Sequence, residues 1–417
     1  MRIRFPKDII YQVLFVLCIA TPYFYNYELT FAVWCFTALF TVTKVYSFEI
    51  ARQLACFAAI LFIACIVTFY YDYKLYYIAR DFAYMVKPVL GLLIGYQLIR
   101  KLRTNIFRLI VITGFLLALL HFFFLFQAVI VYHADTVAKV RHYAGYFSDF
   151  EIYSLILLVF YKRFNMGFTQ RQVLFLSAVI ALSSFLYMAR TNYIQFIIMF
   201  IALKGYFTVN KKSVIAVSSL LLVSLIGYGA ILYINPRRNG DGLEALMYKI
   251  KIAPTEPFKS RISKDNHKQF HDNYRSYENI TTIRQVKAEG TQAVIIGKGL
   301  GSTVDLNTVI WLGDQQMRFI SILHNGFMTV FLKSGLIGVA IFILSIFLLF
   351  KRVRSDNYKV RQVNYIMVGT AIFMFISAWV FMGFYFTADT KAILVGLFIC
   401  YREKLLKEAG EDTELTL

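Results

Sequence analysis

Residues 109–120 read LIVITGFLLALL and residues 57–67 read FAAILFIACIV. Neither run alternates in polarity, as the roughly ten-residue segments of a transmembrane barrel do. Extended by their apolar flanks, both are long enough to cross a hydrocarbon core of about 30 Å as helices rising about 1.5 Å per residue. Similar runs recur along the chain, LFVLCIA at 14–20 among them. The composition agrees. Of 417 residues, 59% are hydrophobic, 18% aromatic and 16% charged, whereas soluble domains are about 45–50% apolar and about 25% charged. A water-soluble globule is excluded. The expected fold class is all-α, a polytopic helical membrane protein.

Hydropathy and chain breakers place spans at 9–25, 28–46, 52–71, 76–99, 106–131, 150–163, 171–188, 190–208, 213–234, 320–350, 361–382 and 386–402, twelve in all. The organisation that follows is nine spans within 1–234, a polar loop or lid domain at 235–319, three spans within 320–402 and a tail at 403–417. The net charge of +20, from 44 Lys and Arg against 24 Asp and Glu, would point to nucleic acid in a soluble chain. Here the basic residues crowd alternate short loops, such as Arg100, Lys101, Arg103 and Arg108, or Lys351, Arg352, Arg354, Lys359 and Arg361. That bias orients a membrane protein. It puts both termini in the cytoplasm, puts 132–149 and 235–319 on the outer face, and implies a lipid bilayer rather than nucleic acid as partner. The basic, apolar N-terminus lacks a convincing cleavage site and reads as a retained first helix. All five cysteines fall inside apolar spans and read as packing residues.

The most specific string is Leu323-His324-Asn325-Gly326, after which Gly335-Leu336-Ile337-Gly338 follows with nine residues between Asn325 and Gly335. A His at the outer end of a membrane helix can deprotonate a sugar hydroxyl or bind phosphate. Three further strings accompany it: Tyr187-Met188-Ala189-Arg190-Thr191-Asn192 between two apolar runs; Tyr274-Arg275-Ser276-Tyr277-Glu278 followed by Ile295-Ile296-Gly297-Lys298-Gly299-Leu300-Gly301; and Arg141-His142-Tyr143-Ala144-Gly145 leading to Asp149. Together with the topology of the whole chain, these strings resemble the O-antigen ligase and O-antigen polymerase superfamily. In that family a His-Asn pair and a Gly-x-x-Gly stand just after a large periplasmic loop. The chain departs from the family's strings where Ala189 replaces Ser, where no Trp follows Arg275, and where Phe150 and Glu151 replace Pro-Asn.

The resemblance implies a GT-C-like bacterial inner-membrane glycosyltransferase, inverting and metal-independent, acting at the periplasmic face. Its donor would be a preassembled glycan on undecaprenyl diphosphate. Its acceptor would be a saccharide hydroxyl, on lipid A-core for a ligase or on the next lipid-linked repeat for a polymerase. The intact His-Asn to Gly-x-x-Gly spacing favours the ligase. His324, Arg275 and Arg190 are the expected catalytic residues, because guanidinium forks bind diphosphate bidentately and stay charged. Arg141, Arg80, Lys87, Asn325 and Glu278 are the expected substrate-binding residues. Arg80 and Lys87 lie in the fourth span, where charges mark functional paths by default, though an internal Arg80–Asp81 pair is an equal alternative. No cofactor or metal is expected: His267 and His271 lack a third ligand in the spacing of a zinc protease, and Gly297-x-Gly299-x-Gly301 lacks the setting of a dinucleotide fingerprint. The rival readings are a lipid-linked-oligosaccharide flippase or other transporter, and a scaffolding membrane protein. No inverted repeat favours transport.

Overall fold

The computed structural model describes residues 7–208, 211–237, 243–252, 262, 270, 272–312 and 315–410. The first half runs α1 Lys7–Ala20, α2 Tyr27–Phe40, α3 Phe48–Thr68, α4 Leu75–Lys101, α5 Ile106–Phe126, α6 Val137–Ala144, α7 Asp149–Val159, α8 Tyr161–Phe164, α9 Gln170–Leu186 and α10 Arg190–Leu203. The second half continues with α11 Lys211–Ile234, α12 Leu243–Ile252, α13 Tyr274–Ala288, α14 Thr291–Ile296, β1 Val304–Leu312, β2 Gln315–Ile320, α15 Gly326–Leu349, α16 Tyr358–Phe381 and α17 Lys391–Glu408.

Among the described residues, six helices are long and apolar enough to cross a membrane: Phe48–Thr68, Leu75–Lys101, Ile106–Val131, Lys211–Ile234, Gly326–Leu349 and Tyr358–Phe381. Four of the other expected spans are shorter apolar helices, at Asp8–Phe24, Tyr27–Phe40, Gln170–Leu186 and Arg190–Leu203. A 14-residue helix such as α2 reaches only about 21 Å, short of a hydrocarbon core of about 30 Å. The expected sixth span is broken at Phe160 into α7 and α8, and the expected last span begins at Lys391 rather than 386.

The core is built by close backbone approach. On α4, a Cβ at Gly95 would meet the Ile393 carbonyl oxygen at 1.9 Å, and on α17 a Cβ at Gly396 would meet the Leu92 carbonyl oxygen at 2.1 Å. In lipid, where helices gain little from apolar burial against one another, such small-residue contacts drive packing. Several of the charges buried between helices are paired: Arg402 with Glu49 at one end of α17, and Lys391 with both Asp149 and Asp389 at the other.

The expected tenth span, 320–350, shortens to Gly326–Leu349 because Gln315–Ile320 pairs as an antiparallel strand with Val304–Leu312. This two-stranded hairpin is a local addition to an otherwise helical fold, in keeping with the expected all-α class. Its register slips between Asp305 and Ile310, where Asn307 sits at φ 51° and donates its N–H to Asp305 Oδ1 at 2.8 Å. Arg318 grips Asp305 through two 2.8 Å bonds. The Gln285 side chain pairs with the Asp305 backbone, donating to its carbonyl at 2.5 Å and accepting its N–H at 3.0 Å, while the Tyr277 hydroxyl donates to the Leu306 carbonyl. These bonds stitch α13 to the hairpin. Val286, Val304, Leu306, Ile320 and Leu323 form a small core beneath them, continuous with Phe331 and Leu332 of α15.

The glycines of 297–301 and of 335–338 meet. Gly335 interrupts α15 at φ 64°, ψ −162°, a conformation disfavoured for residues with a Cβ. The break releases carbonyls that the loop takes up: Lys298 N donates to the Leu332 oxygen at 2.8 Å and Gly299 N to the Lys333 oxygen at 3.1 Å. A Cβ at Gly335 would lie 2.3 Å from the Ile295 oxygen, and one at Gly297 would lie 2.5 Å from the Lys333 carbonyl carbon. Below this seam, buried Lys333 donates to Asp81 Oδ2 at 2.5 Å and to the Ser302 carbonyl at 2.6 Å, and Gly301 N donates to the same Asp81 oxygen at 2.8 Å.

Candidate functional site

Arg141, Arg190 and Arg275 line one cavity of about 310 Å³, together with Tyr146, Asn279 and Trp379. They come from three separate elements. Arg141 stands in the last turn of α6. Arg190 opens α10 after Met188, whose φ of 49° turns the chain between α9 and α10. Arg275 and Asn279 are four residues apart on α13, which puts both on one helical face.

Among the described residues, no Asp or Glu lines this cavity. Arg190 also sits at a helix N-terminus, the end that repels cations. Burial pushes the Arg141 guanidinium below its usual range, and the charge of Arg190 adds to the depression. Arg141 Nη2 donates to the Tyr146 carbonyl at 3.3 Å, whereas its buried Nε, like the buried Oδ1 of Asn279, finds no hydrogen-bond partner among the described residues. Concentrated positive charge of this kind stabilises an anion, and above all a phosphate able to accept several N–H bonds at once.

At the cavity's edge stands a His–Glu pair. His324 donates its backbone N–H to Glu278 Oε2 at 2.8 Å, and its ring Nδ1 lies 3.2 Å from Glu278 Oε1. The Glu278 side chain is 1% exposed and that of His324 29%. The Tyr274 hydroxyl donates to Glu278 Oε1 at 3.3 Å, and its ring meets the imidazole edge-on at 5.4 Å. Burial and the Glu278 carboxylate hold the Tyr274 phenol well above its usual range, so it stays a donor. A carboxylate bonded at Nδ1 fixes that nitrogen as the N–H and presents the Nε2 lone pair outward. His324 does not itself line the cavity. It is tied to the rim because its carbonyl accepts from Met382 N at 2.9 Å, next to the lining residue Phe381, while Glu278 lies between Arg275 and Asn279 on α13.

The remaining expected residues are placed differently. Asn325 is buried as the N-cap of α15, its Oδ1 accepting from Phe327 N at 2.9 Å and Met328 N at 3.2 Å, with Nδ2 unpartnered among the described residues. Arg80 and Lys87 do not line the cavity. Arg80 pairs with Asp81 at 3.1 Å, the internal alternative. Lys87 is buried, donating to the carbonyls of Phe386 and of Thr387, the latter at 2.6 Å, and lying 5.4 Å over the Trp34 ring. Asp149 does not line the cavity and accepts from buried Lys391. His267 and His271, in the same loop as Arg275, lie outside the described residues.

Sequence reasoning missed Trp379, Asn279 and Tyr146. Trp379 sits in an apolar span where nothing distinguishes a cavity wall from a lipid face. For Asn279 the only available signal was its i, i+4 relation to Arg275. No protein-family model, no curated protein and no solved structure matches the chain.

Proposed function

We propose that this protein is a membrane-embedded glycosyltransferase that moves a preassembled glycan from a polyprenyl diphosphate to a saccharide hydroxyl, of the kind represented by the O-antigen ligases and polymerases it resembles. The observation that carries the reading is the convergence of Arg141, Arg190 and Arg275 on one cavity, with an imidazole that Glu278 orients tied to its rim. In this scheme the acceptor hydroxyl attacks the anomeric carbon from the face opposite the diphosphate. The new C–O bond forms as the bond to diphosphate oxygen breaks, with inversion. The hydroxyl proton passes to His324 Nε2, and the charge appearing on the leaving diphosphate is met by the guanidinium groups. Glu278 positions His324 and stabilises the imidazolium that forms.

The proposal includes a GT-C-like twelve-span arrangement in the bacterial inner membrane. The six long helices, the four shorter apolar ones, the α7–α8 pair and α17 would supply the spans, with the cavity facing the periplasm. It also takes lipid A-core as the acceptor, on the strength of the His-Asn to Gly-x-x-Gly spacing. The test is purified protein supplied with undecaprenyl-diphosphate-linked glycan, with and without lipid A-core. Transfer that requires lipid A-core supports the ligase, and ladders of lengthened lipid-linked glycan without it mean a polymerase. Intact donor under both conditions, from protein that melts cooperatively, would overturn the transferase reading in favour of a flippase.

A further inference from the structure

A second cavity, of about 610 Å³, opens at the other end of the α15–α16 hairpin, where residues 350–357 join the two helices. Along α16 its lining residue Arg361 and Phe381 of the first cavity stand about 30 Å apart, at about 1.5 Å per residue. Arg352, Arg354 and Arg361 line the second cavity, all three exposed. Among the described lining residues Asp356 is the single carboxylate against three arginines, so positive charge is in excess there.

The floor is built rather than incidental. Buried Asn364 donates Nδ2 to the Val353 carbonyl at 2.8 Å and accepts from Arg402 Nη1 at 2.6 Å, and Arg402 is in turn held by Glu49. Arg352 Nη2 donates to the Phe207 carbonyl at 2.7 Å, tying this loop to the end of α10. A basic loop satisfies the inward charge bias simply by carrying lysines and arginines. It does not require that guanidiniums converge on one cavity, where like charges repel. The level is informative too. The loop joins two helices of membrane length, flanked by exposed Phe347 and Tyr358, so it lies where phospholipid phosphates lie.

We propose that this cavity is a phosphate-binding site on the face opposite the cavity of Arg141, Arg190 and Arg275, occupied by the headgroup of an anionic phospholipid or by a free phosphate ion. The inference is independent of the transferase reading. The test uses the full chain in nanodiscs of phosphatidylcholine alone, or with phosphatidylglycerol, and in phosphatidylcholine with millimolar inorganic phosphate. Thermal melting and native mass spectrometry of retained lipid are the readouts. Arg354→Gln/Arg361→Gln is the test variant. Arg354→Lys/Arg361→Lys keeps the charge without the fork, and Arg103→Gln/Arg108→Gln changes the same face elsewhere.

Phosphatidylglycerol should raise the melting temperature of the wild type and the Arg103/Arg108 variant. It should be retained about thirtyfold less by the Arg354/Arg361 glutamine variant, with the lysine variant between. If inorganic phosphate alone gives the same Arg354- and Arg361-dependent rise, the ligand is the free ion. Equal gains in all variants, or equal losses in the Arg103/Arg108 variant, overturn the proposal. A glutamine variant that melts early in phosphatidylcholine is judged on the lysine variant, whose retention must then fall below wild type.

Discussion

His324 bonds Glu278 twice, through its backbone N–H at 2.8 Å and through ring Nδ1 at 3.2 Å. One carboxylate thereby sets both where the residue stands and which way its ring faces. Glu278→Gln keeps an acceptor for the backbone but removes the charge that favours imidazolium. In the glycan-transfer assay, His324→Ala should lower turnover by about 10²–10⁴-fold, the usual range for a positioned base. Glu278→Gln should lower kcat with KM little changed. Tyr274→Phe should do less, and its effect should be flat across pH 6 to 9, because the phenol stays protonated there. Unchanged kcat in Glu278→Gln would remove the carboxylate from the mechanism.

The guanidinium groups of the cavity make a separate prediction. Arg141→Gln and Arg190→Gln should each weaken inhibition by inorganic diphosphate by about tenfold or more, the scale of a hydrogen bond to a charged group. Arg→Lys at the same positions should restore only part, since an ammonium lacks the planar fork. Arg80→Gln should leave diphosphate inhibition unaltered, because Arg80 lies outside the cavity. If Arg80→Gln weakened inhibition as much as the other two, the anion site would have to be moved.

Two glycines in membrane helices should behave oppositely on conversion to alanine. Gly335→Ala forces a Cβ into a left-handed backbone and against the Ile295 oxygen at 2.3 Å, at a cost of about 1–3 kcal/mol from the strain alone. Gly227→Ala meets nothing within 4 Å and sits in the helix α11, where alanine is favoured over glycine by up to about 1 kcal/mol. Melting temperatures in a single detergent distinguish them, and a stable Gly335→Ala would contradict the seam.

The buried Lys333–Asp81 pair should be costly to break singly. Lys333→Met leaves Asp81 with Arg80 and the Gly301 N–H, and breaking one side of a buried pair typically costs about 3–5 kcal/mol. Asp81→Asn should cost at least as much, because it also weakens the hold on Gly301. The double variant should melt above the sum of the two single losses, a non-additivity expected of direct contacts. Strict additivity would mean that the pair is not formed.

The hydrophobic runs that announced the membrane helices are visible in the sequence because burial in lipid leaves a long unbroken apolar signature. The hairpin was not, since Val304-Asp305-Leu306-Asn307 alternates over only a few residues and its pairing depends on a bulge. The break at Phe160 was equally silent, as nothing in an apolar run marks where a helix ends. Among the candidate residues, Arg141, Arg190 and Arg275 are far apart in the chain, and motif resemblance alone nominated all three. Lys87 looked like a functional intramembrane charge on composition. Its carbonyl partners come from the connection before α17, hundreds of residues away, and no local pattern encodes that contact.

The glycine seam between 297–301 and 335–338 also determines which parts of the cavity can give way. Through the hairpin and the seam, α13 and α15 are bonded to one another, and Arg275 is set in that framework. Arg141 rides instead on α6, eight residues long, whose Lys139–Asp135 pair is out in solvent. The two sides of the cavity are therefore held unequally, Arg275 in a bonded framework of helix, hairpin and seam and Arg141 on one short helix.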